Sequence, residues 1–281
     1  MRFPLYWKQV ENEKRTVSAR GWSDRSLEEA QRNAEQRLAR ILTALQSNRV
    51  DTLRRDYQYV IDNNICEFVV ERIHDSAGHE IAVISRNAYG SLILNTPKLM
   101  MVDIDTDPQP QKPTGLFGKL FGNRNREPRS QEDELERLRH WQLEHADYSL
   151  RVYRTAAGLR AIVPNRDIDA IDEHLLQLMI EMGSDPLYRE LCRSQKCFRA
   201  RLMPKPWRVA IDYPPRKFPF ASEQDELEFN AWFERYLIAC RGYNVCQLIT
   251  TLGSRETTPV SEQLIELHDR FCCGDAGFKL A

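Results

Sequence analysis

The sequence predicts an α+β fold with a mixed or antiparallel sheet flanked by helices. Short apolar segments bounded by glycines follow one another between residues 66 and 105, which is typical of neighbouring strands. Two more strand-like segments, 150–155 and 159–163, are joined through a glycine that permits a tight turn. Segments with helical spacing and capping signals lie on either side of these strands.

The N-terminal part, residues 1–105, begins with a mixed pattern over residues 1–25 that suits one or two strands. A helix follows, because Ser26 and Glu29 have capping-box spacing and leucines and isoleucines recur at helical intervals through Gln46. The strands predicted after it are Cys66–Val70, Ile81–Ser85, Ser91–Leu94 and Leu99–Asp105. Side chains alternate along a strand, so Asp103 and Asp105 share one face at the end of the last strand.

Residues 106–131 change composition abruptly, with several prolines, glycines and basic residues, and we expect a flexible basic loop. Within it, residues 115–122 repeat a Leu-Phe pair. This repeat is interpreted either as a docking peptide for a protein partner or as an insertion that lies loosely on the surface.

The C-terminal part, residues 132–281, is predicted to complete the same core. We expect helices at Glu132–His145, Ile168–Met182, Pro186–Arg193, Glu223–Arg241 and Val260–Phe271. We expect strands at Leu150–Thr155, Leu159–Val163, Cys197–Leu202, Trp207–Asp212 and Val245–Ile249.

The bulk composition indicates a soluble, cytoplasmic protein. The formal net charge is −1, and no apolar run approaches the roughly 20 residues that span a bilayer. The N-terminal residues lack the apolar core of a signal peptide. None of the spacings among the seven cysteines is that of a zinc ribbon, so we expect reduced, mostly buried thiols rather than a structural zinc.

Basic residues concentrate between Pro186 and Lys217, where nine basic side chains stand against two acidic ones. The arginines and lysines are interleaved with aromatic residues, a combination that suits phosphate pairing and base stacking. The alternative is that they pair with acidic helices elsewhere in the chain. The candidate phosphate or nucleic-acid ligands over the whole chain are Arg154, Arg160, Arg199, Arg201, Lys205 and Arg208, and the candidate stacking residues are Phe198, Trp207 and Tyr213.

Three aspartates form the candidate catalytic and metal site. Asp103, Asp105 and Asp212 lie at predicted strand ends and offer the carboxylate oxygens that Mg²⁺ or Mn²⁺ prefers. A pair of such ions aligns an attacking oxygen with a leaving pyrophosphate. The alternative is that these aspartates cap strands or pair with Arg199 or Arg208.

Three short motifs occur in the order found in the archaeo-eukaryotic primase superfamily. They are Val102-Asp103-Ile104-Asp105, Ala157-Gly158-Leu159-Arg160 and Ala210-Ile211-Asp212. The resemblance implies a primase-polymerase core with an RRM-like sheet, carboxylates that carry divalent metals, and a middle motif that contacts nucleotide phosphates. Arg160 replaces the histidine of the family, although arginine also binds phosphate.

The chain resembles certain bacterial proteins of unassigned function more closely. It shares with them the phrases Tyr153-Arg-Thr-Ala-Ala-Gly-Leu-Arg160 and Cys197-Phe-Arg-Ala-Arg-Leu-Met-Pro-Lys-Pro-Trp-Arg208. This resemblance implies no activity.

The function expected from the sequence is metal-dependent processing of nucleotides or nucleic acid, specifically nucleotidyl transfer of the primase-polymerase type. One alternative is a non-catalytic binding module that uses the arginines alone. Another is a metal-dependent nuclease built on the same carboxylates. The sequence contains no Gly-x-x-x-x-Gly-Lys-Ser/Thr phosphate loop and no Gly-x-Ser-x-Gly elbow, which argues against P-loop ATPases and α/β-hydrolases.

Overall fold

Strands and helices are mixed along the chain. The structure is a computed structural model that describes residues 1–14, 16–47, 64–106 and 129–281. In these ranges the strands are β1 Tyr6–Glu11, β2 Ser18–Ser23, β3 Phe68–His74, β4 Glu80–Arg86, β5 Leu92–Thr96, β6 Met101–Asp105, β7 Leu150–Thr155, β8 Gly158–Ile162, β9 Phe198–Arg201, β10 Tyr243–Asn244, β11 Cys246–Leu252 and β12 Lys279–Leu280. The α-helices are α1 Leu27–Gln46, α2 Gln131–Glu144, α3 Glu173–Glu181, α4 Pro186–Gln195, α5 Glu223–Ala239 and α6 Pro259–Cys272, with a 3-10 turn at Pro206–Val209.

Two four-stranded sheets carry the fold. One has the strand order β3-β4-β5-β9 and the other the order β11-β7-β8-β6, and every pairing in both is antiparallel. Two smaller pairs complete the described strands: the antiparallel hairpin β1-β2 and the parallel pair β10-β12. The predicted α+β class with an antiparallel sheet is confirmed, whereas the RRM-like type stays a prediction.

The N-terminal hairpin packs on α1. Gly21 of β2 lies so close to the helix backbone that a Cβ there would overlap Ala30 and Ala34, which are themselves fully buried. Ser26 begins the helix as the sequence predicts, since its side chain accepts a hydrogen bond from the Glu29 amide at 3.2 Å.

The main core joins chain segments from both sides of residues 107–128. Its buried residues include Leu94 and Val102 from before that segment and Leu138, Leu159 and Leu264 from after it. The greater part of the predicted basic loop at 106–131, including the Leu-Phe repeat at 115–122, lies outside the described residues.

One predicted helix is confirmed with a later start, and one predicted strand is wrong. The helix predicted at Ile168–Met182 begins only at Glu173, because the Asp172 side chain caps it by accepting a 2.9 Å hydrogen bond from the Leu175 amide. The buried Ile168 therefore packs from an irregular segment.

The strand predicted at Trp207–Asp212 is instead the 3-10 turn followed by irregular chain. Pro206 favours the first position of a helical turn and cannot donate to a sheet. Ala210 ends the turn in the left-handed conformation, with φ of 57°. The alternating apolar residues that predicted a strand thus belong to a turn.

Among the described helices, none has the length and apolar character needed to cross a membrane.

Candidate functional site

Strand β6 presents the two aspartates of the Asp-x-Asp motif at one edge of its sheet. In the β6–β8 register Asp103 faces Arg160 and Asp105 faces Gly158. The preceding residues of β6 are fully buried, whereas Asp103 is half-buried and Asp105 reaches solvent. The end of β6 that bears the carboxylates therefore lies at the surface, and its beginning lies in the core.

Asp103 forms an ion pair with Arg160. The Arg160 Nε donates to Asp103 Oδ1 at 2.8 Å, and only 3% of the arginine side chain is exposed. Its Nη1 also donates to the Arg201 carbonyl oxygen at 3.3 Å and to His268 Nε2 at 3.1 Å. Arg160 was predicted to contact phosphate, but the structure places it beneath the site, where it holds Asp103.

Asp185 is a third carboxylate beside the end of β6, and it was not among the residues predicted from the sequence. Its amide donates to the Asp103 carbonyl oxygen at 3.0 Å, which attaches the start of α4 to β6. Its Oδ1 accepts a 2.8 Å hydrogen bond from the Tyr188 amide and so caps the helix. An aspartate just before a proline is the usual signal of a helix start, and the sequence gives no sign of its second position beside Asp103.

The negative charges of Asp103 and Asp185 act on the carboxyl group of Asp105. Desolvation by the surrounding protein, followed by the negative charges of Asp103 and Asp185, raises the pKa of Asp105 to about 6. Arg160 compensates Asp103, but no described residue forms an ion pair with Asp105. Such a cluster of like charges is unfavourable unless a cation joins it.

Two basic side chains lie beside the carboxylates. Burial lowers the pKa of Arg201, and burial together with the charges of Arg201 and Arg208 lowers the pKa of Lys205 to about 8. The charge of Asp103 opposes both shifts in part, and the charge of Asp105 opposes that of Lys205. Neither the guanidinium of Arg201 nor the ammonium of Lys205 forms a hydrogen bond with a described residue, so both can bind an anion.

An exposed aromatic cluster adjoins these cations. It consists of Tyr89, Trp207 and Tyr213, whose ring centroids lie 5.3–5.8 Å apart. The Lys205 Nζ lies 5.5 Å from the centre of the Trp207 ring. Phe198, which was predicted to stack on bases, is fully buried and cannot do so. Tyr89 was missed because it lies far from the basic segment in the sequence.

Two of the predicted phosphate-binding arginines, Arg199 and Arg154, are paired with acidic side chains. Arg199 forms a largely buried ion pair with Glu67 and also hydrogen-bonds Gln195, so the alternative of structural pairing holds for it. Arg154 is exposed on β7 and lies 3.8 Å from Glu132 of α2. The basic segment therefore does not form one continuous surface of free cations.

Asp212, the third predicted metal ligand, is not among the charged groups that shift the pKa of Asp105. It is exposed, and its carbonyl oxygen accepts a 3.0 Å hydrogen bond from the Trp232 indole of α5. The charged groups that act on Asp105 among the described residues are Asp103, Asp185, Lys205 and Arg201. Asp185 is thus a further carboxylate that acts on Asp105, and the role of Asp212 as a metal ligand stays a prediction.

Comparison of the chain with protein-family models, curated proteins and solved structures finds no match. What this site does is therefore argued from its own chemistry.

Proposed function

We propose that this protein binds a divalent cation together with the phosphates of a nucleotide or nucleic acid, and that it performs nucleotidyl transfer of the primase-polymerase type. The observation that carries the proposal is the meeting of three carboxylates, Asp103, Asp105 and Asp185, with Arg201 and Lys205, whose side chains form no ion pair with a described residue. Carboxylates attract a metal, and buried cations attract the phosphates that a metal accompanies.

The donor set fits Mg²⁺ or Mn²⁺. Both ions prefer carboxylate and water oxygens, and both commonly bind through one or two carboxylates plus substrate phosphates. Asp105 and Asp185 would hold the ion, with Asp103 at its side. Bound there, the ion would orient phosphate oxygens and neutralise the charge that develops during transfer.

Three basic side chains would bind the phosphates and position a carboxylate. Arg201 and Lys205 would pair with phosphate oxygens, since burial strengthens an ionic contact and neither side chain hydrogen-bonds a described residue. Arg160 acts as a positioning residue, because it fixes the carboxylate of Asp103 from below.

The aromatic cluster of Tyr89, Trp207 and Tyr213 supports a nucleotide rather than a simple phosphate. Base stacking on an aromatic side chain contributes about 1–3 kcal/mol and tolerates any base. A cytoplasmic location, as the sequence predicts, would give the protein access to nucleotides and nucleic acid.

One observation favours the non-catalytic alternative, a binding module. The ion pair with Arg160 compensates Asp103, so only Asp105 and Asp185 remain to attract a metal strongly. A module of this kind binds a phosphorylated ligand through Arg201 and Lys205 without needing metal. The third candidate, a nuclease, uses the same carboxylates but needs no nucleoside triphosphate.

An incorporation assay tests the proposal. The full chain is incubated with Mn²⁺, a labelled nucleoside triphosphate and a single-stranded DNA or RNA template. We expect labelled oligonucleotide from the wild type and from Asp212→Asn, and none from Asp105→Asn. Cleavage of labelled nucleic acid without triphosphate would overturn the transferase in favour of the nuclease. Salt-sensitive binding that survives in Asp105→Asn, with neither reaction, would overturn it in favour of the binding module.

A further inference from the structure

A second cluster of metal-ligand residues lies in the core, behind Arg160. Cys246 begins β11, while His268 and Cys272 are four residues apart on one face of α6. All three are buried, and their ligand atoms lie within 4.8 Å of one another. A hydrogen bond of 2.9 Å from the Val245 amide to the Cys272 carbonyl oxygen fixes the strand against the end of the helix.

The distances are close to those of a tetrahedral zinc site. Zinc–sulfur bonds of about 2.3 Å and zinc–nitrogen bonds of about 2.0–2.1 Å place neighbouring ligand atoms roughly 3.5–3.8 Å apart. Cys246 Sγ lies 3.9 Å from His268 Nε2 and also 3.9 Å from Cys273 Sγ. This contact makes Cys273 the candidate fourth ligand, beside the three residues whose ligand atoms all lie within 4.8 Å of one another. All seven cysteines of the chain are free, so these thiols are not committed to disulfides.

The residues around the histidine orient it as metal-bound histidines are usually oriented. A guanidinium only donates hydrogen bonds, so His268 Nε2 accepts from Arg160 and the ring proton lies on Nδ1. Nδ1 donates to Asp269 Oδ1 at 2.8 Å, and Arg151 holds that carboxylate by a further 2.8 Å contact. Cys246 Sγ lies 3.9 Å from the same Nε2, and the contact of Nδ1 with a carboxylate matches carboxylate–histidine–zinc arrangements.

We infer that Cys246, His268, Cys272 and Cys273 form a structural zinc site that ties β11 to α6. Structural zinc sites have four protein ligands and no open position, and this cluster lies in the core away from the carboxylates of β6. Three thiolates with one zinc ion leave a charge of −1, which the buried guanidinium of Arg160 balances. The Arg160 Nη1, which donates to Nε2 here, turns to a thiolate sulfur when zinc takes Nε2.

The test is the metal content of the full chain purified without chelators, measured by plasma mass spectrometry. We expect one zinc ion per chain in the wild type and in Cys192→Ser, a matched control that alters a buried thiol outside the cluster. We expect Cys246→Ser and Cys272→Ser to lose the zinc. Zinc that persists in both of these variants would overturn the assignment.

A measurement on the wild type alone covers the case in which the cysteine variants do not fold. Metal-free protein is titrated with Co²⁺, which reports thiolate ligands by an intense near-ultraviolet charge-transfer band and tetrahedral geometry by its visible spectrum. We expect both signals to saturate at one Co²⁺ per chain and to disappear when Zn²⁺ is added. The absence of zinc and of a thiolate band in the wild type would overturn the site.

Discussion

Asp103 and Asp105 are two residues apart on one strand and share a face, yet their surroundings give them different roles. Asp103 has a buried arginine as its partner, whereas Asp105 has two carboxylates for neighbours and reaches solvent. The difference follows from β8, which places Arg160 opposite one aspartate and Gly158 opposite the other. Asp103 therefore has a structural role in its ion pair with Arg160, and Asp105 is the better position at which to test metal binding.

The Arg160 ion pair predicts a large loss of stability when one partner is removed. Arg160→Met leaves the Asp103 carboxylate without its partner, and breaking such a buried pair costs about 3–5 kcal/mol. Arg154→Met is the matched control, because its contact with Glu132 is exposed and contributes about 0–1 kcal/mol. Urea unfolding measures the free energy of unfolding of both variants. Equal free energies of unfolding for the two variants would show that Arg160 does not hold Asp103 as described.

The raised pKa of Asp105 predicts how its replacement changes stability with pH. Its pKa is about 6 in the folded chain against an ordinary value of 3.8, so between these values the folded state binds more protons than the unfolded state. The free energy of unfolding contributed by this group is highest below pH 3.8 and falls as the pH rises through 6. The Asp105→Asn variant lacks this loss.

We therefore expect Asp105→Asn to be more stable than the wild type at pH 7.5 and equally stable near pH 4. Solvent screens an exposed carboxylate, so the gain is at most about 1 kcal/mol, or roughly 2–4 °C in melting temperature. Thermal unfolding of both proteins in metal-free buffer at the two pH values measures this gain. A destabilised Asp105→Asn at pH 7.5 would refute the like-charge cluster.

At the scale of elements, the 3-10 turn at Pro206–Val209 decides which side chains reach the site. An alternating pattern predicts a strand there, but Pro206 and the left-handed Ala210 favour a turn. The turn exposes Trp207, which joins the aromatic cluster, and Asp212 follows at an exposed position. Periodicity alone could not predict this outcome, because a proline at the start of a short segment outweighs the alternation of the residues after it.

Gly158 allows the backbone of β8 to lie close to the end of β6. A Cβ at this position would overlap the backbone carbonyl oxygen of Ile104, immediately before Asp105. We expect Gly158→Ala to cost about 1–3 kcal/mol of stability, as overpacking does, and to weaken metal binding by displacing the end of β6. Urea unfolding measures the first effect and Mn²⁺ titration the second. Gly277→Ala is the control, since a Cβ there meets nothing within 4 Å and should leave both unchanged.

At the scale of the whole molecule, the class of the fold was predictable and the composition of the site only in part. Most strands and helices follow from local signals, such as the Ser26 cap and the apolar segments that became β4 to β8. The pairing of Asp103 with Arg160 depends on strand register, which joins residues 57 positions apart. Asp185 and the cysteine–histidine cluster were not predicted because their neighbours in the fold are distant in the sequence. The cluster, for example, forms only when β11 and α6 bring Cys246 and His268 together.

The measurement that tests the central claim most directly is calorimetric titration with Mn²⁺, with and without a non-hydrolysable nucleoside triphosphate. We expect binding to the wild type that tightens with the nucleotide, weakens below pH 6 as Asp105 takes a proton, and falls at least about tenfold in Asp105→Asn. Asp212→Asn should bind like the wild type. No Mn²⁺ binding by the wild type, or equal binding by Asp105→Asn, would contradict the account.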